Sequence, residues 1–194
     1  MTDLYTWNPM PHGLAVKCPG CSGEATFEFA ERIHIPYRKD VQYFKTSDDF
    51  DYEKATQGSV GLHHYAWYYH GLGRRKLELI DDLPDGYDPS FWEHSQYLHR
   101  INPNDRGAIY CTSCDYRRKH ELNWPEDAYF SISYRGSVLW AYHRDMAAEL
   151  IRFVASDDRD IGKFRYRSSL MKIPKKFLSA KARRHVVKKL EAVL

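Results

Sequence analysis

Four cysteines carry the clearest chemistry in this chain: Cys18-Pro19-Gly20-Cys21 near the start and Cys111-Thr112-Ser113-Cys114 past the middle, with 89 residues between the pairs. Each pair has the C-x2-C spacing, which lets two thiolates converge on one ion while backbone amides inside the turn point at the sulfurs. Four thiolates at tetrahedral corners make a closed site. Closed sites are structural by default, because catalytic zinc keeps a position open for water or substrate. In a reducing compartment two such knuckles read as metal ligands, whereas a secreted chain could use them as two disulfides. Residues 1–9 show neither a basic n-region nor an apolar h-region, and no run approaches the roughly 18 apolar residues that span a bilayer. The expected compartment is the cytoplasm, the expected occupant is a metal, and no membrane partner is expected.

The segments around the cysteines must fold to present them. Residues 14–17 lead into the first pair and 25–29 lead out, with Thr26 and Glu28 alternating against Phe27 and Phe29. That pattern is a strand, a ligand-bearing turn and a second strand. Residues 108–110 and 116–122 repeat the plan around the second pair, so two hairpins clasping one ion are expected. These knuckles between short strands resemble those of the zinc-ribbon superfamily, over about 35 residues. The resemblance implies Cys18, Cys21, Cys111 and Cys114 as ligands of a single structural Zn2+, with iron, as in rubredoxins, the lesser alternative. The glycine that usually follows such a knuckle is replaced by Ser22 and Asp115, with Gly23 one place late in the first pair.

The expected fold class is α+β: a zinc-ribbon-like pair of hairpins (residues 1–30 with 106–125), a long aromatic-rich insertion (31–105), and a C-terminal part (126–194) with a hairpin and two helices. In the insertion, 33–43 mixes extended residues with Pro36, and 47–53 reads as an acidic turn. Residues 59–71, crowded with tyrosine and histidine, fit a strand or a short helix equally. Residues 81–89 form a turn-rich connection, and 91–100 fit a helix capped by Ser90 with Glu93 three residues on. Residues 128–134 and 137–142 predict a hairpin turning at Arg135-Gly136. Met146, Ala147, Leu150, Ile151, Phe153 and Val154 share one helical face over 144–155. A last helix begins at Ser179 and groups Ala182, Val186, Val187, Leu190, Val193 and Leu194.

Charge is distributed unevenly. The chain has a formal net charge of +3, yet residues 163–189 hold eleven Lys or Arg and no acid, leaving 18 basic and 26 acidic residues, a net of −8, elsewhere. Lys172, Lys175, Lys176, Lys181, Arg183, Arg184, Lys188 and Lys189 are candidates for contact with a phosphate backbone, extended by Arg117, Arg118 and Lys119 beside the second knuckle. The competing account is a solvated helix face balanced by the acidic body.

Signatures of common enzymes are missing: no G-x-S-x-G, P-loop, G-x-G-x-x-G, H-E-x-x-H or H-x-E is present. His63, His64, His70, His94 and His99 are the residues that a second, catalytic metal would draw on. Three functions are therefore carried forward. The first is a small zinc-binding module without catalytic activity that contacts nucleic acid. The second is a protein-interaction or self-associating module using residues 60–70, and the third is a metal-dependent hydrolase.

Overall fold

The structure, a computed structural model, describes residues 9–56, 61–88, 97–99 and 105–194. Strand β1 (Pro9–Pro11) is followed by β2 (Gly13–Lys17) and β3 (Glu24–Phe29), which form the first hairpin, and β4 (Glu31–Ile35) follows at once. Helix α1 (Val41–Thr46), β5 (Asp51–Thr56), β6 (Leu62–Tyr68) and a short β7 (Tyr97–His99) complete the insertion. The second hairpin is β8 (Arg106–Tyr110) and β9 (Arg117–Glu121), and the third is β10 (Ser131–Tyr134) and β11 (Ser137–Trp140). Helices α2 (Arg144–Ala155), α3 (Arg167–Leu170), α4 (Lys175–Leu178) and α5 (Ala180–Glu191) close the chain. The fold is α+β.

Alternation sets the first hairpin: Ala25, Phe27 and Phe29 of β3 are buried while Glu24, Thr26 and Glu28 stay half-exposed. The two cysteine-bearing hairpins then join through β3 and β8 into one antiparallel sheet of order β2-β3-β8-β9. On the β2 side, residues 127–142 add to the sheet edge. Lys17 N donates to Asp127 O at 2.8 Å, Ala15 N donates to Tyr142 O at 2.7 Å, and Val16 bridges Ala128. Trp140, Phe130, Met146, Leu150, Phe177, Val186 and Leu190 bury themselves there against Leu14, Val16 and Phe27, making one core from the cysteine-bearing sheet and the C-terminal part.

The expected helix α2 has the bounds anticipated, and His143, outside the usual capping residues, serves as its N-cap by accepting from Met146 N at 3.3 Å. Ser179 caps α5 by accepting from Ala182 N, also at 3.3 Å. The β10–β11 turn places Arg135 at φ 48° and Gly136 at φ 72°, the left-handed pair of a tight hairpin turn. Between the two long helices, the single turns α3 and α4 carry part of the basic segment.

The insertion departs most from expectation. It builds its own antiparallel sheet, ordered β4-β6-β5, over a separate core of Ile33, Ile35, Val41, Phe44, Phe50, Ala66, Tyr68, Leu77 and Ile80. The acidic stretch at 47–53 is not all turn, because Asp51 and Glu53 lie in β5, and 62–68 is a strand. Most of the helix expected at 91–100, with its cap Ser90, lies outside the described residues. Its described part, Tyr97–His99, is a strand paired with Pro9–Pro11. Ala30 N donates to Arg106 O at 2.9 Å, so the insertion leaves and rejoins the cysteine-bearing sheet at one point.

Candidate metal centre

Antiparallel pairing of β3 with β8 places the start of one strand beside the end of the other, with Thr26 opposite Tyr110. Both knuckles therefore emerge at the same end of the sheet. The turns are built alike. Cys18 N donates to Gly23 O at 2.8 Å and Ser22 N to Cys18 O at 2.8 Å, while Cys111 N donates to Tyr116 O at 2.8 Å. Gly20 N points at Cys18 Sγ, 3.3 Å away. A Cβ on Gly20 would lie 3.2 Å from the Tyr116 ring and 3.4 Å from Cys114 Sγ, so the first knuckle passes close over the second and glycine makes room.

The four sulfurs converge. Cys18 Sγ and Cys114 Sγ are 3.5 Å apart, Cys21 Sγ and Cys111 Sγ 3.8 Å, and all four lie within 4.8 Å of one another. Metal–sulfur bonds of about 2.3 Å at tetrahedral angles require sulfurs roughly 3.8 Å apart, whereas a disulfide brings them to about 2.05 Å. All four cysteines are free, with Cys18 and Cys111 buried and Cys21 and Cys114 exposed. The backbone N–H of Ser113, with that of Cys114, draws the Cys111 thiol down to about 7. The Tyr116 N–H lowers Cys114, but the neighbouring sulfur of Cys18, burial, and Cys21 and Cys111 outweigh it and push this thiol up to about 12. One sulfur thus ionises readily and the next resists, because like charges crowd together. A cation at the centre relieves that repulsion, so the donor set fits a metal ion.

Ser22 and Asp115, the residues directly after each knuckle, adopt φ of 61° and 55°. They hold the left-handed conformation that glycine takes at low cost, and a side chain there costs about 1 kcal/mol or more. Ser22→Gly and Asp115→Gly are each expected to raise stability by up to about 1 kcal/mol, Asp115→Gly by less because aspartate tolerates this region better. A shifted denaturation midpoint with an unchanged slope would register the gain.

The basic residues singled out by sequence are spread over several elements. Arg117, Arg118 and Lys119 lie on the edge strand β9. Arg117 sits over the Tyr110 ring and Arg118 over the Tyr116 ring, while Lys119 is ion-paired with Asp51 of the insertion. Burial raises the Asp51 carboxyl, but hydrogen bonds from Lys119 and Arg74 outweigh it and hold it below the usual carboxylate range. Arg183 is ion-paired with Asp157, and Lys176 donates to Ser137 Oγ. Lys172 is half-buried and Lys175 is exposed. On α5, Ala182, Val186 and Leu190 are buried against α2 and β10, which leaves Lys181, Arg184, Lys188 and Lys189 exposed.

His63, His64 and His70 do not meet at one site. His63 faces one side of the insertion sheet and His64 the other, where it meets Tyr52, while His70 stands 3.9 Å from Glu31. His94 and the side chain of His99 lie outside the described residues. Among the described residues, the four cysteines are the one group of three or more such side chains placed to hold a metal. No local pattern in the sequence marks the Asp51–Lys119 pair, because its two halves lie in distant segments.

No family model, curated protein or solved structure matches the chain. What it can do rests on its own geometry. No helix among the described residues is long and apolar enough to cross a membrane.

Proposed function

We propose that Cys18, Cys21, Cys111 and Cys114 hold one structural Zn2+ in the manner of a zinc ribbon, and that the chain is a non-enzymatic cytoplasmic module that contacts nucleic acid through the outer face of α5. The observation that carries the second half is the state of that face. Lys181, Arg184, Lys188 and Lys189 are exposed, and among the described residues no acidic side chain forms an ion pair with any of them. Charges free of internal partners are available to replace phosphate counterions. The acidic body neutralises part of the basic arm, through Asp157 on Arg183 and Asp158 on Lys163, and leaves the α5 face untouched.

Binding to single-stranded and duplex DNA and RNA is measured by anisotropy across a salt series, alongside elemental analysis that separates zinc from iron. Affinity is expected to fall linearly on logarithmic axes. Replacing Lys181, Arg184, Lys188 and Lys189 by Gln should reduce that slope by about 3 to 4, at roughly 0.9 per phosphate lost on duplex DNA. Arg183→Gln should change it little, since Asp157 already occupies that guanidinium. Absent or salt-insensitive binding would overturn the assignment. A complex that survives high salt would instead favour a protein partner or a second copy at the insertion.

A further inference from the structure

The geometry points to a second metal site, separate from the cysteines, formed by His34 and His63 on the outer face of the insertion sheet and open to a zinc-like divalent cation. Strand pairing sets His34 of β4 opposite Tyr65 of β6, which puts His63, two residues earlier, on the same face and diagonal to His34. His34 is exposed and His63 half-buried. Both rings pack against Tyr65, with centroid distances of 5.4 and 6.2 Å. The Arg32 guanidinium, on the same face, sits over the Tyr65 ring at 3.6 Å. The backbone register and this aromatic floor hold the two imidazoles in place.

The decisive distance is that between the nitrogens: His63 Nδ1 and His34 Nε2 are 3.3 Å apart. Two imidazoles bound tetrahedrally to one ion at about 2.0–2.1 Å place their nitrogens about 3.3–3.4 Å apart. The separation accommodates a shared cation without rotating either ring, and a long N–H···N hydrogen bond spans it when no ion is bound. Neutral imidazole is a ligand of zinc, nickel and copper. The site differs in kind from the cysteine centre: two protein donors leave coordination positions open to water, or to a donor group from a bound partner.

Isothermal titration of Zn2+ into the full chain, already carrying its cysteine-bound ion, tests this. The wild type is expected to take up one further equivalent. His34→Ala and His63→Ala should each weaken that uptake at least tenfold, with His34→Gln and His63→Gln giving the same loss. His64→Ala, on the opposite face, should retain it. Ni2+ added to the same protein should broaden the imidazole proton signals of His34 and His63 selectively. Two results would overturn the site: no further Zn2+ taken up at millimolar concentration, or the extra equivalent persisting in both His34 and His63 variants. Neither readout depends on nucleic-acid binding.

Discussion

Replacing Cys111 by serine should drop bound metal well below one equivalent per chain and lower the thermal midpoint by about 10 °C or more. Two losses combine at this position. Binding energy at a structural four-thiolate site is also folding energy, on the order of 10 kcal/mol in small metal-dependent units, which rivals the whole stability of an ordinary domain. Cys111 is in addition only 4% exposed and packs in the main core with Ile109 and Ala25, so a hydroxyl there is buried in apolar surroundings. Cys18, at 2% exposure, stands in the same situation. Cys21 and Cys114 are exposed, and serine at either should remove a ligand without disturbing the core. The order of damage is therefore Cys18 and Cys111 above Cys21 and Cys114, read by melting curves with elemental analysis. A loss of several kcal/mol converts to the stated shift at roughly 2–4 °C per kcal/mol for a chain of this size. A chain with all four cysteines replaced by serine that melts like the wild type would remove the metal from the account of stability.

The features legible in the sequence share a property: their signal is local. The knuckles, the β10–β11 turn at Arg135-Gly136, and the faces of α2 and α5 are each set by residues within a few positions of one another. The insertion's sheet was hidden because its signals depend on distant partners. Asp51 and Glu53 look like turn residues until Arg74, Arg106 and Lys119 arrive from elsewhere to pair with them. In β6 the buried run from Tyr65 to Tyr68 breaks the alternation that marks a strand. One face, Ala66 and Tyr68, lies in the insertion core, while on the other Arg32 and Arg106 cover Trp67. The four cysteines were readable as types and spacing. That they meet depends on the β3–β8 register, which no local pattern encodes. The basic residues show the converse, since the run is obvious in sequence, but Arg183 and Lys119 prove committed to Asp157 and Asp51.

Because of that register, Gly107→Ala should cost about 3 kcal/mol or more, at the upper end of what overpacking produces. Gly107 lies opposite Phe29 in β3 and His120 in β9, so it sits mid-sheet with a strand on each side. A Cβ there would fall 2.2 Å from Glu28 O and 2.3 Å from the end of the Phe27 ring. Phe27 is fully buried and the carbonyl belongs to the paired strand, so neither can step aside as a flexible surface chain would. Relief must come from rotating Phe27 out of its core position or from prising β3 away from β8. The second route also moves the knuckles, because the start of β3 and the end of β8 carry one pair each. Gly107→Ala should therefore both lower the melting midpoint and speed metal loss to a competing chromophoric chelator, from a position outside the ligand set. Gly71→Ala provides the comparison: its Cβ would meet the Ala108 Cβ and the Tyr110 ring at 3.1 Å, a crowding of tenths of an ångström that should cost about 1 kcal/mol and leave metal retention unchanged. If the two variants behave alike, the β2-β3-β8-β9 sheet is more yielding than its packing indicates, and the coupling of β3–β8 pairing to the four sulfurs fails.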